Sequence, residues 1–255
     1  MGPVKPKKSL GQHFLTDKNI ARKIVGALTF PNHTPILEIG PGTGVLTRLL
    51  LDMPDACVWL AEIDPESIAY LKENFPLARD RIIAGDVLKV NLREYFQEKF
   101  SVIGNFPYNI SSQLFFLILD YRQQVNEVVC MVQKEVARRI ASPPGSRNYG
   151  ILSVFLQAYY DIQYLFTVPP QVFNPPPKVQ SAVIRLTRNN RQSLPCDEAL
   201  FARVVRSAFN QRRKVLRNSL REMIRPEEFH REIMAKRPEQ LGIDDFILLT
   251  EMAGG

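Results

Sequence analysis

Five short apolar runs, separated by helical stretches and turns, fill the first half of this chain and narrow its fold more than any other feature. They are "TPILEIG" (34–40), "CVWLAEID" (57–64), "RIIAGD" (81–86), "FSVIGN" (100–105) and "EVVCMVQ" (127–133). Each is too short for a buried helix and is rich in Ile, Val and Leu, the pattern of a strand covered on both faces. Helical spacing appears at 19–28 (Ile20, Ile24, Val25, Leu28), at 45–51, at 65–73 behind Pro65, and at 111–120. Strands that alternate with helices predict a mostly parallel, doubly wound α/β sheet.

The pattern changes after about Ser142. "PPGSRNYG" reads as a loop and "ILSVFLQAYY" (151–160) as a helix, while "IQYLFTV" (162–168) and "SAVIRLT" (181–187) are placed to extend the sheet with antiparallel strands. Beyond the polar "TRNNRQS" the apolar spacing is helical to the end. The expected division is an α/β domain over 1–190, whose residues 1–8 form a flexible basic arm, and a small all-α domain over 191–255.

Composition excludes several classes. No run of 18 apolar residues occurs, so no transmembrane helix is expected. The N-terminal "MGPVKPKKSLGQ" is basic without the apolar stretch of a signal peptide. Cys57, Cys130 and Cys196 are scattered and odd in number, which fits a reducing cytoplasm. His13, His33 and His230 show no metal-ligand spacing, so no metal is expected. The net charge of +7 is concentrated near the two ends. Between Arg203 and Arg221 stand seven basic residues and no acid. Such a run either meets phosphate or is a solvated face.

"LEIGPGTG" (37–44) closes the first strand and opens a helix, with Gly40, Gly42 and Gly44 at alternate positions. Glycine permits backbone angles and close approach that side chains block, and an adenosine-bearing ligand suits the carboxyl edge of such a sheet. The spacing departs from the dinucleotide Gly-x-Gly-x-x-Gly pattern. Glu38, an acid ahead of the first glycine, suits a cationic amine better than a pyrophosphate, which points to S-adenosylmethionine. Glu62, at the next strand end, can accept from ribose hydroxyls, and Asp86, after the third, from an adenine amine. Each acid alone reads equally as a surface carboxylate, but together with the glycine turn they form a cofactor site.

"GNFPYNIS" (104–111) follows the fourth strand. The side-chain oxygen of Asn105, with the carbonyl of Phe106, can accept from an exocyclic amine and hold its lone pair toward a methyl donor. Tyr108 offers a face on which an extruded base can stack. The alternative, a polar turn after a buried strand, fits this combination less well. The Pro195-Cys196 dipeptide lies far from any strand end and reads as incidental.

Taken in order, "KKSLGQHFLTD", "LEIGPGTGVLT", "AEIDPE", "AGDVL", "GNFPYNIS", "MVQKEVARRI", "VFNPPPKVQSAVIRL" and "FNQRRKVLRNSL" give the chain a resemblance to a known family. Over nearly its full length it resembles the bacterial small-subunit ribosomal RNA adenine dimethyltransferases. The resemblance implies a Rossmann-like methyltransferase sheet with a small C-terminal all-α domain. It implies transfer of two methyl groups from S-adenosylmethionine to N6 of each of two adjacent adenosines in the 3′-terminal hairpin loop of 16S rRNA. The implied setting is an immature 30S particle in the cytoplasm, with the protein monomeric when free and no membrane partner. By motif, His13 and Leu15 close over the cofactor, with Gly40 at its methionine part, Glu62 at the ribose and Asp86 at the adenine. Asn105 touches cofactor and target amine, Tyr108 stacks the base, and Phe173 supplies the opposite stacking face. Arg212, Arg213, Lys214, Arg217 and Arg221 contact RNA in a helical region. Many members have Asn where His13 stands, and Leu or Ile is common at Phe106. The rivals are a large-subunit rRNA dimethylase of the macrolide-resistance type and a mainly non-catalytic assembly factor.

Overall fold

The computed structural model describes residues 4–29 and 34–254, so His33 and the first residues of the basic arm lie outside the described residues. In chain order the elements begin with β1 (Phe14–Leu15), α1 (Lys18–Val25), β2 (Ile36–Ile39), α2 (Val45–Leu51), β3 (Val58–Glu62) and α3 (Pro65–Asn74). They continue with β4 (Ile82–Ala84), β5 (Phe100–Asn105), α4 (Ser111–Asp120), β6 (Val125–Gln133), α5 (Lys134–Ala141) and α6 (Ile151–Gln157). The remainder are β7 (Tyr160–Val168), β8 (Phe173–Asn174), β9 (Ser181–Arg188), α7 (Glu198–Asn210), α8 (Leu216–Ser219) and α9 (Ile243–Gly254).

Seven strands form one sheet in the order β4-β3-β2-β5-β6-β9-β7. The pairs β3–β4, β2–β3, β2–β5 and β5–β6 are parallel, and β9 joins β6 antiparallel. The mostly parallel sheet with flanking helices is the expected fold class. Every residue of β2 and all but the last of β5 and β6 are buried, as strands covered on both faces must be. Chain order reverses direction between β2 and β5. In open α/β sheets that switch point leaves a crevice beyond the strand carboxyl ends.

Local chemistry sets the helix starts. Asp17 accepts from Asn19 N and Ile20 N at the start of α1, and Asp64 accepts from Glu66 N ahead of Pro65 in α3. The chain divides into two compact units, one of residues 1–137 and 162–188, the other of 138–161 and 189–255. In the second unit Phe201 of α7 packs against Phe155 of α6 and Phe246 of α9, and Phe209 stacks on Phe246 with centroids 5.9 Å apart.

Three features depart from the sequence reading. The helix over 151–160 stops at Gln157, because Tyr160 already starts β7. The basic stretch 209–221 is not one helix: α7 ends at Asn210, Gln211 leaves helical angles (φ −116°, ψ 53°), and α8 spans only four residues. Third, β1 and β8 form a two-residue antiparallel pair, with Phe14 opposite Asn174 and Leu15 opposite Phe173. Of the basic arm, Lys7 is anchored, its Nζ 2.5 Å from Asp64 Oδ1 and 3.1 Å from Glu66 Oε1, and Lys8–Leu10 form a 3-10 turn.

Candidate active site at the switch of the sheet

A cleft open to solvent lies at the carboxyl ends of β2, β3, β4 and β5. Gly40, Glu62, Asp86, Asn105 and Tyr108 all line it, together with His13 from the N-terminal segment. Five of the predicted strand-end residues therefore converge, although they come from four separate stretches of chain.

The glycine turn forms one wall. Gly40 has φ +68°, and a Cβ there would meet nothing nearer than Asn105 O at 3.8 Å, so the position needs glycine for its angle and not for space. Gly42, at φ +55°, needs it for both: a Cβ would stand 2.7 Å from Phe14 Cε1. The N-terminal segment thus lies directly against the turn.

Glu62 is 4% exposed. Its Oε1 accepts from Ile63 N and Asp64 N, both at 2.9 Å, and its Oε2 from Gly42 N at 3.1 Å. Burial raises its pKa, against the opposing pull of these N–H groups. A carboxylate has about four acceptor positions, so one remains, on Oε2. Asp86 accepts from Leu88 N at 3.1 Å, with Lys89 Nζ 3.8 Å from its other oxygen.

Glu38 does not line this cleft. It borders a smaller neighbouring hollow, shared with Leu15, Gly40 and Asn105. Its carboxyl is 1% exposed, accepts from Thr47 Oγ1 at 2.6 Å, and is pushed up to about 8 by burial. With no cation beside it among the described residues, burial holds this carboxyl well above the usual carboxylate range. The bond from Thr47 ties β2 to α2.

Phe106 is 1% exposed and packs on Phe115 of α4, and its N–H donates to Met131 O at 3.0 Å. This buried ring is the root that fixes the turn. Asn105 Nδ2 donates to His13 O at 2.8 Å. With the amide nitrogen committed there, Oδ1 is the acceptor end. Tyr108 shares a 2.5 Å hydrogen bond with Ser181 Oγ and stacks on His13, with ring centroids 5.5 Å apart.

Two predicted site residues are elsewhere. Leu15 is 5% exposed and walls only the smaller hollow. Phe173 is 4% exposed, belongs to the core cluster and does not line the cleft, because β8 is paired with β1. The sequence reading also passed over Ser181, although it lies in the quoted "KVQSAVIRL". A hydroxyl opening the strand, just ahead of the apolar run Ala182–Ile184, was the available signal.

The glycine turn and the carboxylates of Glu62 and Asp86 on neighbouring strand ends fit the adenosine part of S-adenosylmethionine by their chemistry and placement. Among the described residues no group of three or more His, Cys, Asp or Glu side chains is placed to hold a metal, and no helix is long and apolar enough to cross a membrane.

In the second unit, Arg212 donates to Arg147 O at 2.5 Å and lies 3.9 Å from Glu239, so part of its guanidinium is already engaged. Arg221 lies 3.7 Å from Glu222 on the surface. Arg213, Lys214 and Arg217 sit in the turn after α7 and in α8, where no acid intervenes in sequence.

A family model for ribosomal RNA adenine dimethylase matches residues 4–247. Ribosomal RNA small subunit methyltransferase A of Parabacteroides distasonis is 54% identical over 97% of this chain and 93% of its own length. The protein of the same name from Porphyromonas gingivalis is 55% identical over 97% of both chains. Among solved structures, a dimethyladenosine transferase from Plasmodium falciparum superposes with a TM-score of 0.79 at 26% identity, covering 95% of this chain and 98% of its own. The 23S rRNA methyltransferase ErmE gives 0.69 at 25% identity, covering 95% and 100%.

Proposed function

We propose that this chain, which belongs to the ribosomal RNA adenine dimethylase family, dimethylates N6 of two adjacent adenosines in the 3′-terminal hairpin loop of small-subunit rRNA. It is an S-adenosylmethionine-dependent methyltransferase. The observation that carries the reading is the convergence of Gly40, Glu62, Asp86, Asn105 and Tyr108 on one cleft. Relatives more than half identical and named for the small subunit favour that substrate over the large-subunit alternative, whose solved example is 25% identical.

S-adenosylmethionine, when bound, supplies a methyl already activated by its sulfonium, so the residues need only present the acceptor. Glu62 and Asp86 hold the adenosine end. Asn105, with its Nδ2 fixed on His13 O, directs Oδ1 at the target amine and orients its lone pair. It also stabilises the positive charge that develops on that nitrogen. Tyr108 stacks the base, which must leave its own stack to reach the cleft. Water takes the proton from the methylated amine.

In the helical unit, Arg213, Lys214, Arg217 and Arg221 grip phosphates, with Arg212 contributing what its bond to Arg147 O leaves free. The proposed division assigns methyl transfer to the α/β part and RNA contact to the helical part. The proposed setting is an immature 30S particle in the cytoplasm, met by a monomer, with methylation marking a step of small-subunit biogenesis.

The test is to incubate the protein and S-adenosylmethionine with unmodified small and large subunits separately, followed by nucleoside mass spectrometry. Dimethyladenosine in the small subunit alone is expected. Its appearance in the large subunit alone would transfer the assignment to the resistance-type enzyme. Binding without any methyl transfer would leave an assembly factor.

A further inference from the structure

We propose that Ser181 is a positioning residue for Tyr108, and through it for the target base; the inference rests on the function proposed above. Ser181 opens β9, has no exposed surface, and is paired with Gln133 of β6. The residue before it is pinned as well, because Lys134 N donates to Gln180 O at 2.9 Å. The Ser181 hydroxyl is therefore held by the sheet and not by the turn that carries Tyr108. Its Oγ lies 2.5 Å from Tyr108 Oη.

The geometry of a tyrosine gives this contact a definite meaning. The hydroxyl oxygen lies on the axis through Cβ, Cγ and Cζ, so a bond there stops the ring from swinging but not from spinning. Spin is opposed from another direction. The His13 imidazole stacks on the ring at 5.5 Å with an interplanar angle of 29°, and its Nδ1 donates to Pro175 O at 2.7 Å. Ser181 thus fixes where the ring points, and His13 fixes how it is turned and covers one face. A base has the opposite face. Burial raises the Tyr108 pKa, so the phenol keeps its proton through neutral pH and the hydroxyl pair stays intact.

A buried serine could equally serve the fold alone, and a double-mutant cycle separates the two roles. Parent, S181A, S181C, Y108F and S181A/Y108F are compared for kcat and KM on unmodified small subunits, for cofactor Kd by calorimetry, and for thermal stability. The expected result is a drop in kcat of about fivefold to tenfold for S181A and for Y108F, from the loss of one hydrogen bond. Cofactor Kd stays at the parent value, S181C recovers part of the loss, and the double variant is no worse than either single one. Losses that multiply in the double variant would overturn the inference, as would an S181A protein that melts earlier but turns over like the parent. If S181A fails to fold, the cycle built on S181G, which also lacks the hydroxyl, reads the same coupling. A parent protein that leaves small subunits unmethylated would overturn the functional reading and this inference with it. A methylating parent with an additive cycle overturns this inference alone.

Discussion

The side-chain nitrogen of Asn105 donates to the backbone carbonyl of His13 at 2.8 Å. That bond joins the end of the fourth parallel strand to the N-terminal segment and decides which end of the amide is left as an acceptor. The same segment is fastened at Thr16, whose N–H and hydroxyl both donate to Val172 O. The acceptor that meets the target amine and the segment that walls the cofactor cleft are therefore one connected assembly.

Replacing Asn105 by Asp sets a carboxylate against the His13 carbonyl in place of a donor. Amide hydrogen exchange across residues 13–16 should then speed up by as much as about tenfold, the equivalent of one lost hydrogen bond. Unchanged exchange would mean that the bond does not hold the segment.

Gly42→Ala should destabilise the protein by about 1–2 kcal/mol, the cost of a left-handed angle in a residue with a Cβ, with a further penalty from the clash with Phe14. A thermal melt measures the loss. Cofactor affinity should fall as well, because Gly42 and Phe14 both line the cleft. A variant that melts with the parent would show that the turn tolerates a side chain.

The carboxyl of Glu38 gives a pH signature. Its pKa in the folded protein is pushed up to about 8 by burial, from an ordinary value of 4.5. Between those values the folded state holds a proton that the unfolded chain has released. The stability this supplies is full below about pH 4.5 and is lost as pH rises through 8. Glu38→Gln cannot ionise, so its stability relative to the parent should improve from pH 5.5 to 8.5 in denaturant melts. Parallel curves for the two proteins would show that Glu38 ionises normally.

RNA binding should depend steeply on salt. Each of Arg213→Ala, Lys214→Ala and Arg217→Ala should lower the slope of log K against log salt by roughly 0.7 to 1. Arg212→Ala should change it less, since that guanidinium is engaged with Arg147 O. Slopes equal to the parent's would reduce the basic stretch to a solvated surface.

The sequence carried the cleft because its parts are local signals. A glycine turn, an acid at a strand end and an Asn-x-Pro-Tyr turn each announce themselves within a few residues, and the strand-helix alternation places them on one edge. What it hid depends on distant pairing. β1 and β8 are two residues each, too short for any periodicity, yet their pairing buries Phe173 and brings His13 to Tyr108. The bond from Thr47 to Glu38 was hidden for a related reason, since an acid in an apolar strand reads the same whether it faces a ligand or a neighbouring hydroxyl. The basic stretch carries apolar spacing that reads as helical throughout, whereas α7 ends at Asn210 and Gln211 leaves helical angles.

The most direct test of the account is single-turnover methyl transfer to unmodified small subunits by Asn105→Ala beside the parent, with cofactor Kd measured on both. The loss of an oriented polar group at the reacting atom should cost about 100-fold or more in rate, while cofactor affinity changes far less. A variant that methylates at the parental rate would contradict the central role of Asn105. A variant that loses rate only in proportion to its cofactor affinity would contradict it equally, leaving the residue as a support for the cleft.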